Sequence, residues 1–385
     1  MHRNIKLLAL FNFFTDLKFH SAILILYFFA VTNSYALAMS VFGVVMLSKA
    51  MFEVPTGAFS DLIGRKKTII LGAISAITSA LLYAFGGSYL ILIAGAVFEG
   101  LSRSWYSGNN DAFLIDTLKA VQKETVFGHY FGRLSSMFQV ALAVGAVIGG
   151  FLAAQSFAIV MWLSVIPQLI CILLAFLLYE PPHISKSSSN VFVHIKFSAL
   201  HLWNNKLLRH TSALDVLSFS VGEAVFQFRS AFIATLWPIW AIGLSKMLSF
   251  TGASFSYWYS SRLIKRFGNT TILFVANIYF RIVDFTALIF PSVISPILIS
   301  STSLMYGAAD VSINSLMQRE FTNDQRATLS SLNSLAGSIG YGIFTILLGF
   351  LADWFGPTKA LIIAGFFSLP RIYLAWKIRK MEKDV

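Results

Sequence analysis

The sequence predicts an all-α polytopic membrane protein, with twelve transmembrane helices arranged as two six-helix repeats. Three observations predict it. Of 385 residues, 57% are hydrophobic and 12% charged, against roughly 45–50% and about 25% in soluble domains, so water is not the main solvent of this chain. The apolar residues come in stretches of about 20, the length that crosses a hydrocarbon core of roughly 30 Å. The lysines and arginines stand in short clusters at alternate connections, the pattern left when positive charge stays on the cytoplasmic side.

Apolar stretches bounded by Gly, Pro, Asn and charge clusters place helices over residues 4–31, 36–60, 67–85, 88–116, 126–154, 157–179, 208–234, 238–266, 269–290, 293–318, 326–353 and 357–379. The first carries Asp16, Lys18 and His20, and no small-residue cleavage site follows a short apolar core, so it is expected to be retained and not removed as a signal. Arg3 and Lys6 precede it. Arg65, Lys66 and Lys67 separate helices two and three; Lys119 and Lys123 separate four and five; Lys186, Lys196, Lys206 and Arg209 separate six and seven. Arg262, Lys265 and Arg266 separate eight and nine, Arg319 and Arg326 separate ten and eleven, and Lys377, Arg379, Lys380 and Lys383 close the chain. The opposite connections carry essentially Lys359 alone. A miscounted helix would scramble this alternation, so we expect a multi-pass protein of a bacterial-type inner membrane with both termini cytoplasmic.

The longest polar interval, Glu180 to Lys206, contains Pro181-Pro182 and Ser187-Ser188-Ser189-Asn190. It divides the chain into an N-terminal six-helix half (1–180), a cytoplasmic linker (181–207) and a C-terminal six-helix half (208–385). Arg133-Leu134-Ser135-Ser136 opens the fifth helix and Thr328-Leu329-Ser330-Ser331 opens the eleventh, 195 positions later; both continue through Gly-rich sequence to Gly-Phe-Leu, at Gly150 and Gly349. Repeated halves would leave this trace. The net charge of +12 does not lie along one soluble face, so no nucleic-acid partner is expected. Cys171 is the only cysteine, which excludes a disulfide framework and a Cys-rich metal site, and no metal is expected. The chain has no Gly-x-x-x-x-Gly-Lys-Ser/Thr, His-Glu-x-x-His or Gly-x-Ser-x-Gly sequence, so neither ATP hydrolysis nor another enzymatic activity is expected.

After the second helix the chain reads Gly57-Ala58-Phe59-Ser60-Asp61-Leu62-Ile63-Gly64-Arg65-Lys66-Lys67. This resembles the signature loop of the major facilitator superfamily, Gly-x-x-x-Asp-x-x-Gly-Arg-Lys/Arg-x. Gly57 is expected to let helices approach closely, and Gly64 to adopt a turn conformation closed to other residues. The resemblance implies the major facilitator fold, transport by alternating access, and for Asp61 a place in a charge and helix-terminus network that locks the two halves in one conformation. The equivalent loop of the second half, Gly252 to Gly268, keeps its basic residues and lacks the aspartate. Asp111 and Asp116 at the end of helix four, with Arg133 opening helix five, are expected to join Arg65 in that gate. In helix five, Ala141-x-x-x-Gly145-Ala146-x-x-Gly149-Gly150 is similar to the Gly-x-x-x-Gly-Pro-x-x-Gly-Gly motif of antiporter-type members, with Ala141 and Ala146 replacing a glycine and the proline. Such glycines also serve ordinary close packing. Glu53-Val54-Pro55-Thr56-Gly57 resembles a branch of bacterial drug-exporter-like members.

A charge at mid-helix costs at least about 2.5–3.5 kcal/mol to insert, so each should be paired or face a wet cavity. Lys49 with Glu53, Glu99 with Arg103, and Arg281 with Asp284 stand at helical-neighbour spacing, and either neutralise one another or line a cavity. Asp16, Asp215, Glu223, Arg229, Lys246 and Asp310 lack such a neighbour and need partners on other helices or water. Asp16 lies about twelve residues into the first helix, near mid-bilayer at roughly 1.5 Å per residue. A carboxylate is hard to keep charged there, which suits a proton carrier; Glu223 in helix seven is its counterpart in the second half. For both the alternative is a static ion pair, and for His20 a plain hydrogen bond. Trp237 and Trp240 suit an external interface, and Trp105 and Tyr106, beside Arg103, are candidates for contact with an amphiphilic substrate or for core packing.

These readings lead to one expectation: a monomer exporting small amphiphilic or cationic compounds in exchange for protons, with the proton gradient as energy source, no bound cofactor, and the substrate, protons and bilayer as partners. The alternatives are transport of an anionic metabolite, whose carboxylate or phosphate Arg103, Arg229, Lys246 and Arg281 would attract, movement of other solutes or lipid, and a non-transporting sensor on a transporter scaffold.

Overall fold

The computed structural model describes residues 2–120, 122, 127–182, 202–321 and 326–383, so most of the linker expected at 181–207 lies outside the described residues. Those residues form twelve helical spans and no strand, as the sequence predicts. Spans two, three, five, six, eight and nine are single helices: Tyr35–Ile63, Arg65–Phe85, Phe127–Ala153, Phe157–Leu177, Ile239–Phe267 and Asn269–Ile289. The eleventh and twelfth run through Arg326–Phe367, parted at Gly356, where φ is 79°, and the twelfth ends in Pro370–Lys383.

The remaining four spans are interrupted, as is the twelfth at Ser368 and Leu369. The first comprises His2–Asp16, a 3-10 turn at Phe19–Ala22, and Leu24–Thr32; the fourth comprises Tyr89–Tyr106 and Asn109–Lys119, broken at Gly108 with φ 69°. The seventh comprises Lys206–Leu217, a π turn at Ser218–Glu223, and Ala224–Ile233; the tenth comprises Ser295–Ser301 and Ser303–Glu320. Spans one, four, seven and ten are the leading members of successive three-helix groups, so the irregularity itself repeats along the chain. Non-helical backbone at membrane depth survives only where protein or a wet cavity satisfies it, which marks these four spans as places to look for polar contacts.

Local chemistry sets several helix starts. Ser34, Ser88, Ser156 and Asn205 accept the backbone N–H of Leu37, Ile91, Ala158 and Leu208 at 3.2–3.4 Å for the serines and 3.0 Å for the asparagine, supplying one acceptor to donors that a helix start leaves unpaired. Gly64 and Gly268 precede spans three and nine with φ of 96° and 79°, a region closed to residues bearing Cβ.

The residues divide into two compact units, Met1–Lys186 with Pro238–Met247, and Ser187–Trp237 with Leu248–Val385. In the first, spans two, three and four pack together, and the 3-10 turn of span one lies on span five; its apolar core includes Leu8, Phe11, Ile69, Phe113 and Leu118. In the second, the π turn of span seven lies on span eleven, and spans nine, ten and twelve pack round Leu273, Phe280 and Leu316.

Candidate functional site

In the first unit the break of span one holds the site. Helix ends at Asp16, and Leu17 and Lys18 are non-helical, so the chain changes direction where three polar side chains are clustered. Glycines permit it. A Cβ on Gly145 would stand 3.0 Å from the Lys18 carbonyl oxygen, and one on Gly149 would overlap the Phe19 carbonyl oxygen. Span five therefore seats the broken segment backbone to backbone. Glu99, on span four and 8% exposed, is the hub of the cluster. Its Oε1 lies 3.0 Å from Lys18 Nζ and 2.8 Å from Arg103 Nη2, and its Oε2 accepts the Tyr83 hydroxyl at 3.1 Å. The buried His20 ring meets Tyr83 edge-on at 6.4 Å. Asp16 stands within the electrostatic reach of Lys18 and Arg103, yet its carboxylate has no hydrogen-bond or ion-pair partner among the described residues.

The second unit repeats the arrangement with different chemistry. The Ser220 hydroxyl of the π turn donates to the Gly337 carbonyl at 3.1 Å, and a Cβ on Gly340 would overlap that hydroxyl. Gly340 stands 195 positions after Gly145, the offset of the sequence repeat. Asp284 of span nine is 4% exposed and takes Arg229 on Oδ1 at 2.7 Å and Arg281 on Oδ2 at 2.9 Å. Arg229 also donates to Thr302 at 3.2 Å, at the junction of span ten. Nearby, Asp310 accepts the Tyr257 hydroxyl at 3.0 Å, Glu223 accepts Gln227 at 2.7 Å, and Asp215 accepts Asn333 at 3.4 Å.

At the loop between spans two and three, Arg65 lies 3.6 Å from Asp116 and donates to Ser60 at 2.8 Å, while Ser60 donates to Asn109 at 2.8 Å and Asn109 to the Arg65 carbonyl at 3.2 Å. Glu180 closes this loop: its two carboxylate oxygens accept the backbone N–H of Arg65 at 2.6 Å and of Lys66 at 2.9 Å, an anion on a helix N-terminus. A Cβ on Gly64 would stand 2.9 Å from Glu180 Oε1. The side chains of Asp61 and Arg133, expected in this gate, lie outside the described residues.

The model of the Major Facilitator Superfamily matches residues 7–261. The chain belongs to that superfamily. An uncharacterized MFS-type transporter of Methanocaldococcus jannaschii is 21% identical over 341 residues, covering 86% of this chain and 85% of its own. The quinolone resistance protein NorA of Staphylococcus aureus is 23% identical, covering 80% and 78%. The class E tetracycline resistance protein of Escherichia coli is 26% identical, covering 51% and 47%. Among solved structures, the nucleoside transporter NupG superposes with a TM-score of 0.75 at 13% identity over 99% of both chains, and a POT family transporter in complex with 5-aminolevulinic acid with 0.73 at 14%, over 99% of this chain and 96% of that one. This facilitator is thus a multi-pass membrane transporter of a small molecule.

Two expectations for this transporter need correction. Of the two readings of Lys49 and Glu53, mutual neutralisation is not seen among the described residues: Glu53 instead accepts the Ser107 hydroxyl at 2.9 Å, because the break in span four presents that hydroxyl across the helix contact. The close approach expected at Gly57 is not seen among the described residues, where a Cβ there would meet no atom within 4 Å. Tyr106 joins the core, edge-on to Phe11 at 5.5 Å and against Gly72, and Lys246 is buried. The sequence reading missed Arg371, which follows the interruption at Ser368 and Leu369, is 8% exposed, and stands near Arg281, Asp284 and Tyr306. Its nearness to the terminal basic run hid it; the signal available was Pro370, which starts a new helix segment and re-aims the next side chain.

The glycine seat makes a checkable difference. Gly149→Val is expected to lower unfolding stability by about 1–3 kcal/mol, the usual range for overpacking, while Gly57→Ala should leave it unchanged or slightly raised. Thermal unfolding of both variants in detergent checks this, and equal midpoints would remove the seat from the account.

Proposed function

We propose that this transporter exports small amphiphilic compounds in exchange for protons, by alternating access, with Asp16 as the group that takes up and releases the proton. The single observation behind this is a carboxylate without a hydrogen-bond or ion-pair partner among the described residues, at a break in the first span, beside a cluster in which Glu99 pairs both Lys18 and Arg103 and leaves one positive charge in excess. With Asp16 ionised, Lys18, Arg103, Glu99 and Asp16 sum to zero; with Asp16 protonated they sum to +1. One proton therefore changes the charge of a poorly solvated site, a perturbation able to bias two arrangements of a packed protein. Discontinuous helices are the usual setting of coupling-ion sites in secondary transporters.

The names of two relatives, resistance proteins for quinolones and tetracycline, support export. The clustered lysines and arginines support an orientation with both termini cytoplasmic, which places the Gly57–Lys67 loop on the inside. The working unit is taken as the monomer, and the proton gradient as the energy source.

The test is movement of protons and substrate dyes in proteoliposomes under an imposed pH gradient. Asp16→Asn is expected to abolish gradient-driven transport while leaving the protein folded, and Glu223→Gln, whose carboxylate Gln227 already holds, to reduce it only in part. Full gradient-driven transport by Asp16→Asn would overturn the assignment.

A further inference from the structure

We propose that Arg281 and Arg371, together with Arg229 held on Asp284, form a binding site for an anionic group, a carboxylate or a phosphate, borne by the transported compound. The proposal deepens the transport reading above and rests on it only in taking the ligand to be transported. Two guanidiniums hold one carboxylate, and a third stands within its electrostatic reach. Asp284 satisfies Arg229 and Arg281, one on each oxygen, and the third has no such partner: the Arg371 guanidinium makes no hydrogen bond or ion pair among the described residues, and its Nε is buried without an acceptor. Arg371 is 8% exposed and Arg281 9%, so water does not compensate either fully.

A buried arginine that makes no hydrogen bond or ion pair, with Arg281 beside it and the nearby Asp284 already held by two other guanidiniums, is stabilised by the arrival of a further anion. Removing such an excess by deprotonation is closed to arginine, which stays protonated. Planar guanidiniums are also the groups best shaped to hold a carboxylate or phosphate through paired hydrogen bonds.

The surroundings leave a place for the ligand. Arg229, Arg281 and Asp284 line a cavity of ≈ 10 Å³ closed by Phe285, Leu288 and Leu361, which holds about one water-sized group; Arg371 does not line it, so a carboxylate or phosphate that reaches both Arg281 and Arg371 requires the cavity to widen. The wall is charged on one side and apolar on the other, which, in the widened form, suits the head of an amphiphile with its tail against the phenylalanine and leucines. Beside Arg371 the π turn presents Gly222, where even a Cβ would stand 3.6 Å from Nη1, so that flank of the guanidinium carries no side chain.

The experiment is equilibrium binding to the full chain in phosphatidylcholine nanodiscs, without any gradient, so that a failure of proton coupling and a failure of this site are separable. The probes are octanoate, octylammonium with the same tail, and inorganic phosphate. Octanoate is expected to bind the natural chain, about tenfold more weakly to R371Q and about threefold more weakly to R371K, the loss of one charged hydrogen-bonding group and of its fork geometry respectively. R371Q should unfold at a temperature equal to or above that of the natural chain, since it loses an unpaired buried charge; should it fail to fold, R371K alone decides. Equal octanoate binding by the natural chain and the folded variants, preference for octylammonium, or binding of neither octanoate nor phosphate would each overturn the site. Repeating the titration with phosphatidylglycerol in the disc separates the sources: competition that weakens in R371K in step with octanoate binding names a lipid headgroup as occupant, and its absence names a soluble anion.

Discussion

Asp284→Ala is expected to lower the stability of this transporter by about 3–5 kcal/mol, the loss seen when one member of a buried ion pair is removed and its partner stays. The figure belongs at the upper end because one carboxylate serves two guanidiniums, 2.7 and 2.9 Å away, and is itself 4% exposed. Truncation would strand both cations at once and part span nine from span seven. The measurement is the unfolding midpoint in detergent, with Arg281→Gln combined as a second substitution. The double variant should recover part of the loss, since one of the stranded charges is then gone; a single variant within about 0.5 kcal/mol of the natural chain, the range of ordinary surface changes, would show the pair to be energetically idle.

Glu99→Gln should follow with a smaller loss of about 2 kcal/mol, in the range for a buried charged hydrogen bond left half-made. Glutamine keeps the shape and can still accept the Tyr83 hydroxyl, but leaves Lys18 and Arg103 without their anion. The loss is smaller than at Asp284 because the side chains of Lys18 and Arg103 are 25% and 43% exposed, so water takes up part of what the carboxylate gave. Raising salt should narrow the difference for Glu99→Gln more than for Asp284→Ala, because screening reaches exposed charges and not buried ones. An equal response to salt in both would contradict the contrast in exposure.

Much of the architecture was legible because the bilayer imposes length: twelve apolar stretches of the required size, punctuated by basic clusters, leave little choice of topology. The interruptions were less legible. Gly108 and Pro370 do announce breaks, but the residues from Leu17 to Ile23 include neither glycine nor proline, and the break there arises from what span five presents to it. The Gly145 and Gly149 pattern was readable as a packing face without revealing that its partner is a broken backbone. Spacing likewise found Glu99 with Arg103 and Arg281 with Asp284, but the same spacing misled at Lys49 and Glu53, where a hydroxyl on another span wins. Intrahelical spacing states what a side chain can reach; partners such as Lys18 for Glu99, or Arg229 for Asp284, depend on which helices adjoin.

The π turn at Ser218–Glu223 carries one more residue than ordinary helix would need there. Deleting one residue from it would leave the two sides nearly in place, whereas straightening it into continuous α-helix with every residue kept would rotate everything on one side by about 100° relative to the other. Asp215 and Arg229 would then no longer both meet Asn333 and Asp284, although every one of those side chains remained. The seventh span is therefore specified by its backbone form as well as by its residue types: inside the turn it should accept the loss of one residue more readily than a change that straightens it at full length, and an alignment with a span lacking the extra residue pairs the right faces only with a one-residue gap there.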